Sequence, residues 1–159
     1  EFSDFQCPFC RQAFPIIRST VATYGDRGLR YIYRDFFNEE LHINARLAAE
    51  AGRCAHAQGK FWAYHDKLFQ NQDELDAKSL ATYARQVGLD GQQFDVCLAS
   101  KQFTTDVQKN VDAGTALGVR GTPTWFLIPS GVNALTRRVE GVIPQDKLVQ
   151  LLEEKLPRK

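Results

Sequence analysis

Several features are scarce or missing in this sequence, and each absence narrows what the chain can be. Charge is close to balanced, with 20 Lys and Arg against 19 Asp and Glu. No broad electrostatic attraction to nucleic acid or to an anionic membrane is therefore expected. No apolar run approaches the roughly 20 residues that cross a bilayer, and no basic stretch followed by an apolar segment resembles a secretory signal. Internal repeats and low-complexity segments are missing as well.

The size and composition of the chain favour one compact domain. Its 159 residues, 43% of them hydrophobic, are enough to bury a sizeable core. The strand-like residues 1–5 come directly before the most informative motif, without any lead-in, which predicts that the chain is a processed or trimmed piece. The missing signal is therefore no evidence for a cytoplasmic location.

Residues 1–33 predict a strand, a helix and a second strand. After residues 1–5, the apolar residues Phe14, Ile17 and Val21 follow at helical spacing. A Gly-Asp-Arg-Gly turn separates this helix from residues 29–33, which alternate in the manner of a strand and are rich in β-forming types. The order strand–helix–strand is typical of α/β folds.

A long helical block follows, and then a second sheet segment. Residues 43–117 carry apolar stripes at helical spacing and predict about five helices, with Gly59 between the first two. The rest of the chain predicts a strand, a turn, a strand and a helix, at residues 124–128, Pro129-Ser130-Gly131, 137–142 and from Pro144 onward. The pattern predicts an α/β fold in which the helical block is an insertion.

The motif Cys7-Pro8-Phe9-Cys10 lies where the first strand ends and the helix begins. Cys7 would occupy the helix N-terminus, where unpaired backbone N–H groups and the helix dipole stabilise a thiolate. A lower thiol pKa gives more of the nucleophile and a better leaving group, and the two-residue gap lets the second sulfur reach the first. We expect Cys7 to exchange disulfides and Cys10 to resolve them. Pro8 suits the first helical turn, which does not need its missing N–H.

A zinc site is the alternative interpretation of this cysteine spacing. It would need a second pair of ligands, but Cys54 and Cys97 lie 43 positions apart, and no histidine follows at a recognised ligand interval. Thiol chemistry is therefore favoured, and no metal is expected.

The segment Gly118-Val119-Arg120-Gly121-Thr122-Pro123-Thr124 places a proline directly before a predicted strand. By itself this indicates only a turn. Together with Cys7-Pro8-Phe9-Cys10, it resembles the thioredoxin superfamily, in which a cis-proline faces the catalytic pair across the active site. The resemblance implies that Pro123 is that cis-proline and that Thr122 is the residue before it, at the substrate-binding edge.

The resemblance narrows to the DsbA-like branch, including DsbG-like proteins, and covers nearly the whole chain. It rests on residues 2–10, on Tyr33-Arg34-Asp35-Phe36 followed by His42, and on residues 59–69. It implies a thioredoxin fold with an inserted helical domain between its βαβ and ββα halves. The expected division is residues 1–42 and 118–159 for the two parts of the thioredoxin domain and 43–117 for the insertion. The first strand of the family fold would precede Glu1.

Phe9 departs from the family pattern, because many strongly oxidising members carry a histidine after the proline. Phenylalanine supplies no positive charge to a nearby thiolate, so Cys7 is expected to be less acidic than in those members. The expected role of Phe9 is an apolar surface for docking protein substrates.

Cys54 and Cys97 fall on the apolar stripes of predicted helices, where two buried free thiols are the simplest interpretation. Some DsbA-like proteins carry an extra cysteine pair in this domain, and the resemblance implies a structural disulfide here. Closing that loop would stabilise the fold by about 4 kcal/mol. The bond would also argue for an oxidising compartment.

The other polar and aromatic residues are expected to have structural or surface roles. Packing or surface positions are assigned to His42, His56 and His65. Solvated charges are assigned to Lys60, Arg34 and Asp35, with Asp35 or Glu1 as an alternative aid to proton transfer from Cys10. Core or groove positions are assigned to Trp62 and Trp125.

The resemblance implies a dithiol oxidase that passes a disulfide from Cys7 and Cys10 to protein substrates. It implies no cofactor, a bacterial periplasmic or cell-envelope location, and reoxidation by a membrane partner of the DsbB or vitamin K epoxide reductase type. We expect a monomer, with any membrane anchor outside this chain. Two alternatives stay open: a reductase or isomerase that uses the same pair, and a non-catalytic thioredoxin-fold binding or chaperone module.

Overall fold

The computed structural model describes residues 1–129, 137–154 and 156. The predicted turn at Pro129 lies partly outside these residues, because it includes Ser130 and Gly131. The strands are β1 (Phe2–Ser3), β2 (Arg34–Asp35), β3 (Thr124–Leu127) and β4 (Arg137–Glu140). The helices are α1 (Pro8–Tyr24), α2 (Ala45–Ala57), α3 (Phe61–Gln70), α4 (Ala77–Gln86), α5 (Gly91–Ser100), α6 (Thr104–Ala116) and α7 (Gln145–Glu153), and a short 3-10 helix (Gly25–Arg27) follows α1.

The four strands form one mixed sheet in the order β2-β1-β3-β4. Strand β1 is parallel to β2 and antiparallel to β3, and β3 is antiparallel to β4. A parallel pair requires a crossover connection, which α1 supplies. Since β1 is an inner strand, the turn that leaves its C-terminal end toward α1 starts from the middle of the sheet. This mixed α/β arrangement confirms the expected fold class.

The strand predicted for residues 29–33 is wrong in position. The second strand is β2, which pairs Arg34 with Phe2 and Asp35 with Ser3. The alternation upstream has another cause, because Leu29 packs against the core on the α7 side while Tyr33 is buried in the core shared with the helical block. Apolar residues at every second position therefore do not require a strand here, because they pack into two different cores along an irregular segment.

The helical block predicted for residues 43–117 consists of five helices, α2 to α6, between β2 and β3. Gly59 lies between α2 and α3 with a φ of +74°, a left-handed conformation that favours glycine. Among the described residues, no helix is both long enough and apolar enough to traverse a bilayer. The division of the chain into three segments stays a prediction.

Two apolar cores hold the molecule together. One joins the active-site turn to the helical block, with Phe5, Tyr64 and Phe94 among its most buried members. The other lies between α1 and α7 and includes Ile17 and Trp125. Helix α1 contributes to both cores and therefore has a fixed position between them.

A disulfide joins Cys54 on α2 to Cys97 on α5, with their Cα atoms 5.9 Å apart. Cys54 is only 2% exposed. The simpler expectation of two free thiols is therefore replaced by the bond that the family resemblance implies. It links helices that are not consecutive in the block, so it restrains the block as a unit.

Candidate active site

The cysteine motif begins at the N-terminus of α1. Cys7 is the N-cap residue, in an extended conformation with φ −74° and ψ 123°, and Pro8 opens the helix. The Cys7 N–H donates to the carbonyl of Asp4 at 3.1 Å, and the Cys7 carbonyl accepts from Arg11 N–H at 3.1 Å. This geometry points the unpaired N–H groups of the first turn toward the Cys7 sulfur, as the sequence predicts.

The two thiols of the motif differ strongly in acidity. A hydrogen bond from the Cys10 thiol lowers the pKa of Cys7 to about 5; contacts with Thr122 and with the N–H groups of Cys10 and Phe9 add to this, and burial opposes it. Burial raises the pKa of Cys10, and the nearby Cys7 charge raises it further. At neutral pH the pair therefore holds one thiolate, on Cys7, and one thiol, on Cys10.

In the reduced protein, iodoacetamide should alkylate Cys7 with a rate that rises through a midpoint near pH 5. The rate should be flat at neutral pH, whereas an unfolded control should titrate near about 8.5. Because the folded pKa is the lower one, the thiolate's contribution to the stability of the reduced form is complete above about pH 8.5 and is lost as the pH falls through about 5. Alkylation that is quenched at set times, followed by mass spectrometry of the labelled peptides, measures the pH midpoint for Cys7. A midpoint near 8.5 in the folded protein would contradict the acidity of Cys7.

The segment before β3 lies against the cysteine motif. The peptide bond between Thr122 and Pro123 is cis, and the Cys7 sulfur lies 3.3 Å from the Thr122 carbonyl oxygen, across 115 positions of sequence. Pro123 is almost fully buried. The structure thus brings together the four residues that the family resemblance places at one site, which are Cys7, Cys10, Thr122 and Pro123.

Phe9 and Pro8 are both exposed beside the buried sulfurs. The Phe9 ring is 57% exposed, whereas Cys7 is 5% and Cys10 1% exposed. A large apolar side chain left in water next to a reactive group gains from contact with an apolar partner. The position of Phe9 therefore suits the docking role expected of it.

Glu1 and Asp35, the two acids considered for proton transfer, occupy different environments. Burial raises the pKa of the Glu1 carboxyl, which accepts a hydrogen bond from the Tyr31 hydroxyl, and the Glu1 charge in turn raises the pKa of Cys10. Asp35 is not the solvated charge that was expected: it is 2% exposed and is bonded to Arg53 and Asn110. Of the two acids, Glu1 is the one placed beside the thiols.

Sequence reasoning missed two residues that hold the active-site turn. Gln72, in the loop between α3 and α4, is 6% exposed, and its amide donates to the carbonyls of Phe5 and Cys7, both at 2.8 Å. Asp4 is 2% exposed and is bonded to the turn and to His42. The carboxylate of Asp4, directly before Phe5 and three residues before Cys7, was a signal for Asp4, but no local pattern marks Gln72.

The three histidines lie in different surroundings. His65 is 1% exposed within a ring of aromatic side chains that includes Phe5 and Phe69, and burial lowers its pKa. His56 is exposed and lies edge-on to Phe61. Both are packing or surface residues as expected, whereas His42 contacts the active-site turn.

The fold and the site place this chain in a known family. A family model described as thioredoxin matches residues 1–136, and the chain belongs to that family. The thioredoxin-like oxidoreductase from Silicibacter pomeroyi DSS-3 has a TM-score of 0.80 at 27% identity, covering 97% of this chain and 83% of that chain. Alpha-DsbA1 from Wolbachia pipientis has a TM-score of 0.83 at 17% identity, covering 97% and 82%. Within its family, the chain has the DsbA-like form of the thioredoxin fold.

Curated relatives of higher identity are membrane antiporters. The Na(+)/H(+) antiporter NhaA 3 of Salinispora tropica is 39% identical over 127 residues, which are 80% of this chain and 19% of that protein. The NhaA 1 antiporter of Mycolicibacterium vanbaalenii is 37% identical over 129 residues, 80% of this chain and 21% of that protein. The chain thus spans about one fifth of the length of these relatives.

Proposed function

We propose that this chain is a thiol–disulfide oxidoreductase that works as a dithiol oxidase, introducing disulfides into protein substrates through Cys7 and Cys10. The unequal acidity of the pair is the observation that carries the proposal. A stabilised Cys7 thiolate favours the reduced form of the enzyme, and this makes the oxidised form a stronger donor of its disulfide. The buried Cys10 thiol completes the pair.

The proposed reaction moves two electrons from substrate to enzyme. A substrate thiolate attacks the Cys7 sulfur of the Cys7–Cys10 disulfide; that bond breaks, Cys10 leaves as a thiolate, and a mixed disulfide forms. A second substrate thiolate then attacks the substrate sulfur of the mixed disulfide and expels Cys7. The substrate dithiol gains a disulfide and loses two electrons and two protons. One proton ends on Cys10 and the other goes to solvent, because Cys7 is left as the thiolate at neutral pH.

Glu1 is the acid assigned to the leaving Cys10. Its carboxyl is buried, and because burial raises its pKa it can hold a proton where an exposed carboxyl would not. The Cys10 thiolate is costly in its apolar surroundings, so a neighbouring proton donor lowers the barrier to its departure. Glu1 takes the proton back when Cys10 attacks in the reverse direction.

The substrate is proposed to lie between the cis-proline loop and Phe9. The Thr122 carbonyl lies 3.3 Å from the Cys7 sulfur, so a peptide bound along this loop would hold its cysteine near the reacting atom. The exposed Phe9 ring offers apolar contact from the other side.

The partner and the location belong to the same proposal. A membrane protein of the DsbB or vitamin K epoxide reductase type would take the two electrons from the reduced pair, and the protein would work in a bacterial periplasm or cell envelope as a monomer. The Cys54–Cys97 disulfide supports an oxidising compartment. The likeness to a segment of membrane antiporters supports work close to a membrane.

A reductase or isomerase would use the same pair in the opposite direction, and a non-catalytic module would not use it at all. Equilibration in glutathione buffers, with alkylation and mass mapping of Cys7 and Cys10, separates the three. A reduction potential toward the oxidising limit of about −120 mV, together with rapid oxidation of a reduced, unfolded test protein, would support the oxidase. A value near about −270 mV would favour a reductase. Failure of the pair to form a reversible disulfide would leave only the binding module.

A further inference from the structure

Asp4 is bonded on three sides at the turn that carries the nucleophile. It lies three residues before Cys7 and is 2% exposed. Its Oδ1 accepts from the Gln6 N–H at 2.7 Å, its carbonyl accepts from the Cys7 N–H at 3.1 Å, and its Oδ2 lies 2.5 Å from His42 Nδ1. Asp4 thus holds the backbone turn that leads into Cys7 and joins this turn to His42, 38 positions away.

His42 belongs to the segment that connects β2 to α2, and this segment is fixed to the same turn. Its backbone N–H donates to the Asn38 carbonyl at 2.9 Å, and the Asn44 N–H donates to Gln6 Oε1 at 2.6 Å. The His42 side chain is 25% exposed. The imidazole therefore reaches a buried carboxylate while one part of it remains in contact with water.

Asp4 and His42 act on Cys7 in opposite directions. Burial raises the pKa of Asp4, the Cys7 charge raises it further, and the His42 contact opposes both. A buried carboxylate near a thiolate repels it, since like charges in a poorly solvated site are costly. The contact of the His42 imidazole with that carboxylate offsets part of the repulsion.

We propose that Asp4 and His42 are positioning residues for Cys7: they hold the active-site turn, and the bond from the His42 imidazole offsets the buried Asp4 carboxylate that would otherwise disfavour the Cys7 thiolate. The inference rests on the proposed thiol–disulfide exchange at Cys7. It goes beyond it by assigning control of the nucleophile to a pair of residues that lies outside the Cys-x-x-Cys motif and the cis-proline loop.

Two nearly isosteric substitutions test the pair, because they are expected to move the Cys7 midpoint in opposite directions. His42→Gln removes the imidazole that bonds to the Asp4 carboxylate and should raise the pH midpoint of Cys7 alkylation by about one unit. Asp4→Asn removes the negative charge, keeps an oxygen for the Gln6 N–H, and should lower the midpoint by a similar amount. The double variant should return close to the wild-type midpoint. Exposed residues of the same types serve as matched controls, with His56→Gln and Asp26→Asn expected to shift nothing.

The reactions of the wild type separate this inference from the proposed function. The rate of exchange between Cys7 and glutathione disulfide is measured beside each alkylation curve, and urea unfolding checks that each variant is folded. If the wild type exchanges but the two single variants shift the midpoint in the same direction, or not at all, the inference is wrong and the proposed function stands. If the wild type forms no reversible disulfide, the proposed function fails first. If Asp4→Asn does not fold, the His42→Gln variant tests the inference by itself. An unshifted pH midpoint of Cys7 alkylation in that variant overturns the inference.

Discussion

The Cys7→Ser protein will lose all catalysis of disulfide exchange, and the Cys10→Ser protein will retain the first step. Serine has no accessible anion at neutral pH, so the variant without Cys7 lacks both the nucleophile and the leaving group. Without Cys10, the acidic Cys7 still reacts with a substrate disulfide, but nothing resolves the product. Mixed disulfides through Cys7 should therefore accumulate.

Non-reducing electrophoresis and mass spectrometry after incubation with an oxidised test protein measure both outcomes. Both variants keep Cys54 and Cys97 and should therefore fold, with Cys7→Ser less stable in urea than the wild type reduced at Cys7 and Cys10, because it lacks the stabilised thiolate. Catalysis that survives in Cys7→Ser would falsify the assignment of Cys7 as the exchanging sulfur. Trapped adducts that map to another cysteine would contradict it as well.

Replacing both Cys54 and Cys97 with alanine should lower the free energy of unfolding by about 4 kcal/mol. The bond closes a loop of 43 residues in the helical block, and without it the unfolded chain regains the freedom to open that loop. Disulfide exchange at Cys7 should be unchanged at temperatures where the variant is folded, because the bond lies on α2 and α5, away from the motif at the start of α1.

Urea unfolding should be measured in a Cys7→Ser, Cys10→Ser background, so that no free thiol can reshuffle the bond. The matched comparison is the same background with Cys54 and Cys97 left oxidised. A difference below about 1 kcal/mol would show that the bond adds little beyond the packing of the block. A larger loss, together with unchanged disulfide exchange when Cys54 and Cys97 are replaced in the protein that keeps Cys7 and Cys10, would assign the bond a purely structural role.

Much of this molecule could be predicted because its signals are local. The spacing of Phe14, Ile17 and Val21 indicates one helix face, and α1 begins at Pro8 as the motif requires. The five helices of the block follow from the same 3.6-residue period. Cys7 and Cys10 lie close together by spacing alone, since two intervening residues at a helix start leave their side chains as neighbours.

The remaining features depend on contacts between distant parts of the chain. Strands β1 and β2 are two residues long each, which is too short for any periodic pattern. Asp35 carries a charge that predicts exposure, and only Arg53 and Asn110, from helices far along the sequence, explain its burial. The pairing of Asp4 with His42 is of the same kind, because the local bonds of each residue give no sign of a partner 38 positions away.

The two hydrogen bonds from Gln72 bear on how such a protein could be reduced in size. Phe5 and Cys7 direct their carbonyls into the helical block, and their shared donor comes from the loop between α3 and α4. A shortened protein that joined β2 directly to β3 would keep Cys7, Cys10 and the cis-proline loop. It would leave the Phe5 and Cys7 carbonyls without their Gln72 donor. It would also remove the helices that pack against Cys7 in the shared core. The helices α2 to α6 are therefore structural parts of the reactive centre, and the smallest unit that keeps both hydrogen bonds to the Phe5 and Cys7 carbonyls includes the loop between α3 and α4.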